Sequence, residues 1–264
     1  MIEQKVITNI RTHGTFKKSA QGKNKILLDE LGFNVDKKAE YAFIAGCGYP
    51  ELIPNVFKAI KEFFIFYKVD YTLLSKEYCC GYPVSRPAVI SKDEATISEA
   101  KSYSSEFIVE NFRQAETMGA KSVVLFCAGC EPNYANLVNE TKLEVISYID
   151  LLDRYFNGGM LSLDVDYYAG CYRFRRKLTS MPLNIKAAQH VLNKIKGLKV
   201  NQLDNNLCCF KEQQVEQLLC SLKTKTMITI CSGCYYTLKG KLNDKDGYEV
   251  KMLPEIVMEA IHNK

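Results

Sequence analysis

Histidine is scarce in this chain: there are three in 264 residues, and none lies inside a cysteine motif. That removes the mixed Cys/His donor sets common among structural zinc sites. Long apolar runs are missing too. The most apolar stretch, Phe63-Phe64-Ile65-Phe66-Tyr67, falls far short of the roughly 18 to 20 residues a membrane-crossing helix needs. Contact with a membrane is therefore expected only through a partner, with no direct insertion. Residues 1–20 lack the apolar core and small-residue cleavage site of a secretory leader. A glycine-rich nucleotide fingerprint is absent, so any flavin is expected on a partner. Nor is there a dense basic stripe with interleaved aromatics, which argues against a nucleic-acid partner. Together these absences point to a reducing cytoplasm.

What the chain does have is cysteine. Ten of its eleven cysteines form two copies of one arrangement: a single Cys, then Cys-Cys, then Cys-x-x-Cys. The first copy is Cys47, Cys79, Cys80, Cys127 and Cys130; the second is Cys171, Cys208, Cys209, Cys231 and Cys234. Only Cys220 is left over, read most simply as a buried core thiol, with a ligand role created by the shortened second loop as the alternative. Packing alone does not explain such a recurrence, because a buried free Cys behaves as a small hydrophobe with no reason to repeat in register. Soft thiolates in this number suit iron-sulfur clusters, zinc or Cu(I). A disulfide framework is the weaker reading, because a chain of this length can bury a full core without staples. The formal charge of +5 counts every Cys as neutral. Ten metal-bound thiolates would reverse it, so the Lys and Arg excess reads as compensation for anionic clusters.

Each cysteine motif follows a strand-like run and precedes a helix-like one. The runs at 41–46, 69–74 and 123–126 predict strands delivering Cys47, Cys79-Cys80 and Cys127. Residues 50–66 predict a helix, and Ser91-Lys92-Asp93-Glu94 offers a capping box for a long one whose apolar face includes Ile97, Ala100, Phe107, Ile108, Phe112, Ala115 and Met118. The second half repeats the plan with runs at 166–170, 198–203 and 227–230. Ala-Gly-Cys recurs at Cys47 and Cys171, and Pro182 predicts a helix start. The likeness continues past the cysteines, where 143–156 is echoed by 248–261. The prediction is an α/β chain of two pseudo-repeated βαβ, Rossmann-like units with parallel sheets and metal at the strand C-terminal ends. Ligand sites collect on that edge, where helix N-termini favour negative charge. The expected division is 1–40 as a linker or docking segment, 41–160 as a first domain and 161–264 as a second.

Zinc takes four ligands in a closed tetrahedral site, whereas each copy here offers five thiols. Adjacent cysteines diverge from an extended backbone, so one ion gathers both with difficulty while a multi-iron cluster uses them on different irons. A thioredoxin-like role for either Cys-x-x-Cys leaves the remaining six thiols unexplained.

On these two five-cysteine sets the chain resembles the CCG-domain (cysteine-rich domain) iron-sulfur proteins, best known from the B subunit of heterodisulfide reductase, over roughly residues 41–264. The resemblance implies two noncubane 4Fe-4S clusters, one on each set. It implies an oxidoreductase subunit that reduces a small disulfide, or heterodisulfide, to two thiols. Implied partners are a ferredoxin-like iron-sulfur subunit and a flavoprotein subunit in a multisubunit complex. The stretch up to Lys38 is similar to the linker joining a ferredoxin-like segment to a CCG domain in fused relatives; a basic tail is the plainer alternative. Arg86 and the run Arg173, Arg175, Arg176 and Lys177 are candidates to hold an anionic substrate tail or to balance cluster charge. Two features depart from the family. The gap from Cys-Cys to Cys-x-x-Cys holds 46 residues in the first copy and 21 in the second, and Phe210 stands where a Gly usually follows the pair. Both leave the second site open to change, including zinc in place of a cluster. They also leave open a second function: an electron-transfer subunit of a succinate/fumarate reductase-like or flavin-dependent complex, passing electrons to a quinone or partner without turning over a disulfide.

Overall fold

The computed structural model describes residues 2–170, 184–242 and 247–263. Its strands form two four-stranded parallel sheets. The first holds β1 (Tyr41–Ile44), β2 (Tyr71–Thr72), β3 (Ser122–Leu125) and β4 (Glu144–Ser147) in the order β2-β1-β3-β4. The second holds β5 (Gly159–Tyr168), β6 (Ile195–Gln202), β7 (Thr226–Thr229) and β8 (Glu249–Met252) in the order β6-β5-β7-β8. The predicted α/β duplication is therefore present as one strand order used twice. Every residue of β1, β3 and β7 is buried, as expected of parallel strands covered on both faces. In each sheet the first strand lies between the second and third, so the chain reverses direction beside it. That reversal opens a crevice at the strand C-termini.

The helices of the first half are α1 (Gln4–His13), α2 (Gln21–Asn24, running on as a π-helix over Lys25–Glu30), α3 (Tyr49–Leu52), α4 (Pro54–Phe66), α5 (Tyr82–Ser91), α6 (Glu94–Thr117) and α7 (Glu131–Ala135). The helix predicted over 50–66 is broken at Ile53, whose φ is −137° and ψ 54°, because the ring of Pro54 disfavours helical backbone at the residue before it. Helix α5 was hidden by its two prolines. Pro83 lies in the first turn, where no N–H is required, and Pro87 forgoes one internal hydrogen bond. The cap of α6 is Asp93 rather than Ser91: Asp93 Oδ2 accepts from the Thr96 N–H at 2.9 Å. The α6 stripe is buried as predicted at Ala100, Phe107, Ile108, Phe112 and Ala115, but it also carries buried Ser104 and Asn111.

The described chain divides into two compact units, the first made of residues 2–57 and 68–147 and the second of 58–67, 148–170, 184–242 and 247–263. Residues 2–40 belong to the first unit through buried Ile7, Ile10, Leu27 and Phe33. The division falls at Ser147/Tyr148, ahead of β5, because helix α8 (Tyr148–Tyr155) belongs to the second unit. Among the described residues no helix is long and apolar enough to cross a membrane.

Candidate metal centre

Three loops at the C-terminal edge of the first sheet bring the first cysteine set together. The loop after β1 is held by Glu77, whose carboxylate accepts the N–H groups of Ala45 (3.0 Å) and Gly46 (2.8 Å). Gly46 has φ +84°, and a Cβ there would stand 3.4 Å from the Cβ of Cys127. The loop after β3 is tied to the β1 end by the Phe126 N–H donating to the Ile44 carbonyl at 3.1 Å. It then turns into α7 through the Cys130 N–H donating to the Cys127 carbonyl at 2.9 Å. The loop after β2 carries Cys79 and Cys80. Its backbone is clasped by Asn111: Oδ1 accepts the Tyr78 N–H at 2.8 Å, and Nδ2 donates to the Tyr78 carbonyl and the Tyr134 hydroxyl, each at 2.7 Å. Asn133 Nδ2 donates to the Cys80 carbonyl at 2.8 Å. Gly81 then turns the chain into α5 at φ +78°.

The five sulfurs interact in sequence. The Cys47 thiol meets Cys79 Sγ at 3.1 Å, Cys79 interacts with Cys80, Cys80 with Cys130, and Cys130 with Cys127. Cys79, Cys80 and Cys130 are buried, while Cys47 and Cys127 remain partly open. The hydrogen bond to Cys79 and then burial push the Cys47 thiol well up, opposed by the charge of Lys23. At Cys130 contacts with Cys127 and Cys80, then burial, do the same. At Cys79 the Cys47 contact pulls downward, but Cys80 and burial outweigh it. Donation from Cys130 and Cys79 pulls Cys80 down to about 6. Metal-free, the set shares a thiolate among thiols that hold their protons, and metal binding would have to displace those protons.

Among the described residues no three His, Cys, Asp or Glu side chains converge as on a single bound ion. The first set nevertheless fits a sulfur-ligated group in its donor chemistry. It presents five soft thiols at a sheet's reversal point, with left-handed glycine backbone where a Cβ would crowd Cys127.

In the second set, Cys209 and Cys234 meet at 3.3 Å, and Cys209, then Cys231, then burial push Cys234 well up. Cys208 is fixed through its backbone, its N–H donating to Gln214 Oε1 at 2.9 Å. The Tyr148 hydroxyl donates to the Ile230 carbonyl at 2.7 Å, just before Cys231. Cys171, Arg173, Arg175, Arg176, Lys177 and Pro182 lie outside the described residues. Cys220 is exposed, which corrects its reading as a core thiol: it ends the helix Glu212–Cys220 on the solvent side. Phe210 is 67% exposed, and it is not among the described non-glycine residues with positive φ, which are Asp36, Lys68 and Lys92. The second copy therefore has no left-handed turn after its Cys-Cys pair, and no glycine is required there. Arg86 is exposed on α5. Sequence reasoning missed Lys23, Glu77, Asn111, Asn133 and Tyr134. For Asn111 there was a signal, a polar residue occupying an apolar position of the α6 stripe.

Residues 41–133 match the family model of the cysteine-rich CCG domain, a span that contains the first cysteine set and none of the second. This segment is consistent with a CCG-domain iron-sulfur family and points to iron-sulfur electron transfer as the general role. No curated protein matches the chain. Among solved structures, PH1733, an aspartate racemase homologue from Pyrococcus horikoshii OT3, is similar at 13% identity and TM-score 0.38, over 84% of this chain and 96% of its own. An aspartate racemase from Picrophilus torridus is similar at 11% identity and TM-score 0.38, over 85% and 95%. Neither likeness bears on this chain's chemistry.

Proposed function

We propose that this chain, with its CCG domain over residues 41–133, is the cysteine-rich subunit of an iron-sulfur oxidoreductase that reduces a small disulfide, in the manner of heterodisulfide reductase B subunits. The observation that carries the reading is the same sheet order built twice, each time with partly open thiols beside buried ones. Cys47 and Cys127 are the open ones in the first set, Cys208 and Cys231 in the second. Buried thiols suit anchoring, and an open edge gives a substrate sulfur access. An iron-sulfur cluster bound by each set would supply one-electron redox chemistry and a soft metal for sulfur. The chain's own part is to hold and shield. The ten motif cysteines would be the ligands, with Asn111 and Asn133 fixing the Cys79-Cys80 turn and Glu77 fixing the turn before Cys47. The net reaction is R–S–S–R′ with two electrons and two protons giving RSH and R′SH. The electrons would come from a ferredoxin-like iron-sulfur partner and ultimately a flavoprotein, and Arg86 is a candidate contact for an anionic substrate tail.

A second reading, an electron-transfer subunit without disulfide turnover, draws support from the asymmetry of the two sets. The first is covered by α5 and α6, whereas the second has a single helix, Glu212–Cys220, between its Cys-Cys and Cys-x-x-Cys. Iron and sulfide analysis of anaerobically purified protein, followed by electron paramagnetic resonance of the oxidised form with and without thiol, tests both. About eight irons per chain and a thiol-dependent signal are expected for two 4Fe-4S clusters with disulfide chemistry. About four irons and no thiol effect favours the relay, while zinc without iron refutes both.

A further inference from the structure

The N-terminal segment contains no cysteine, yet it reaches the first cysteine set at several points. The Gly14 carbonyl accepts the Cys79 N–H at 2.7 Å, and the Thr15 hydroxyl donates to the Cys47 carbonyl at 3.4 Å. Ile7 and Ile10 share a buried apolar cluster with Cys79, and Phe16 and Cys47 pack against that cluster. Lys23 is buried as well. Its ammonium lies 3.0 Å from Glu77 Oε2, with the two side chains 9% and 2% exposed.

A buried ion pair contributes little to stability on its own, since desolvating both charges offsets much of their attraction. The surroundings of this pair suggest a different use. Glu77 is fixed by the two backbone N–H groups that precede Cys47, so the carboxylate faces that loop from a set position and holds the ammonium in turn. One carboxylate thus links the Lys23 ammonium to the loop that carries Cys47. Buried charges are screened much less by salt than exposed ones, so the field of this ammonium depends only weakly on ionic strength.

We infer that Lys23 is a positioning residue for the redox behaviour of the first centre: its buried ammonium, held by Glu77, favours the more negative, reduced state of the metal group bound by Cys47, Cys79, Cys80, Cys127 and Cys130. The inference rests on the iron-sulfur reading above. It also gives residues 2–40 a function within the first unit, as the cap that completes the centre.

The test is a redox titration of the full-length, iron-loaded protein, followed by electron paramagnetic resonance at low and high salt, for wild type, Lys23→Met, Glu77→Gln, the double variant and Lys23→Arg. Iron content and circular dichroism are recorded for each. Removing the cation should shift the reduced-to-oxidised ratio at a fixed potential about tenfold toward oxidised, equivalent to about 59 mV for a one-electron couple. Glu77→Gln should shift it the opposite way. The double variant should fall between the two, and Lys23→Arg should stay near wild type. If Lys23→Met fails to hold iron, Glu77→Gln decides: a shift toward reduced supports the assignment, and any other result overturns it. Shifts of the same sign in both single variants, no shift, or loss of iron from every neutralised variant with the fold intact would make the pair purely structural. Wild-type protein without iron would instead overturn the iron-sulfur reading and this inference with it.

Discussion

Gly81→Ala is expected to destabilise the first unit strongly, although it adds one methyl group. Two costs combine. The backbone at Gly81 is left-handed, with φ +78°, a conformation that costs a residue with a Cβ about 1–2 kcal/mol. The added Cβ would also sit 2.3 Å from Ser104 Oγ and 3.2 Å from Ser104 Cα. Ser104 is in the middle of α6 and buried, so relief requires a side-chain shift or movement of that helix, an overpacking cost of about 1–3 kcal/mol. The sum is about 2–5 kcal/mol, a large share of the about 5–15 kcal/mol that holds a typical domain folded. Urea denaturation followed by far-ultraviolet circular dichroism measures the loss as a lower midpoint at unchanged slope. Adding Ser104→Ala should restore the part due to the hydroxyl and leave the backbone cost. Phe210→Ala, at the matching place in the second copy, should cost no more than about 0.5 kcal/mol, since Phe210 is exposed and its backbone is not left-handed. Gly81→Ala within about 0.5 kcal/mol of wild type, or a Phe210→Ala loss as large, would refute the account of why a glycine follows one Cys-Cys pair and not the other.

Asn111→Ala should cost about 2–4 kcal/mol in the same denaturation assay, because it removes the partner of the Tyr78 N–H and carbonyl and of the buried Tyr134 hydroxyl; a loss below about 1 kcal/mol would mean water replaces it. In metal-free protein Cys80 sits at about 6, below the roughly 8.5 of an unfolded thiol, so its stabilisation is full above about pH 8.5 and fades as pH falls through about 6. Cys47, Cys79 and Cys130 are shifted up, so theirs is present below about pH 8.5 and lost at more alkaline pH. Denaturation across pH should therefore show metal-free stability rising from about 6 to about 8.5 and then falling, with the rise abolished in Cys80→Ser; a flat profile contradicts the thiol arrangement. Cys220→Ser should leave iron content unchanged, because that thiol is exposed, and any loss of iron would implicate it as a ligand.

The candidate metal centre was legible in the cysteines because the suitability of a thiol as a ligand depends on residue type and order. Ten thiols recurring in one sequence, each set following a buried β run, indicated both the duplication and the edge of the sheet where metal would sit. Those are local and periodic signals. Strand order follows less directly, yet the short parallel strands and alternating helices left few arrangements, and the same order appears in both sheets. What surrounds the thiols was not legible, because it arises from contacts between distant segments. Lys23 meets Glu77 across 54 positions and Asn111 clasps Tyr78 across 33, and no periodicity encodes such pairs. Helix α5 was concealed because two prolines read as a loop until their places in the helix were known. Even Phe210, an anomaly in the sequence, is explained only by backbone torsion: one copy turns left-handed after its cysteine pair and the other does not. The sequence determined which atoms are available to bind metal. The tertiary structure decided which of them are buried, which stay open, and which charge lies beside them, because burial and field depend on where the rest of the chain comes to rest.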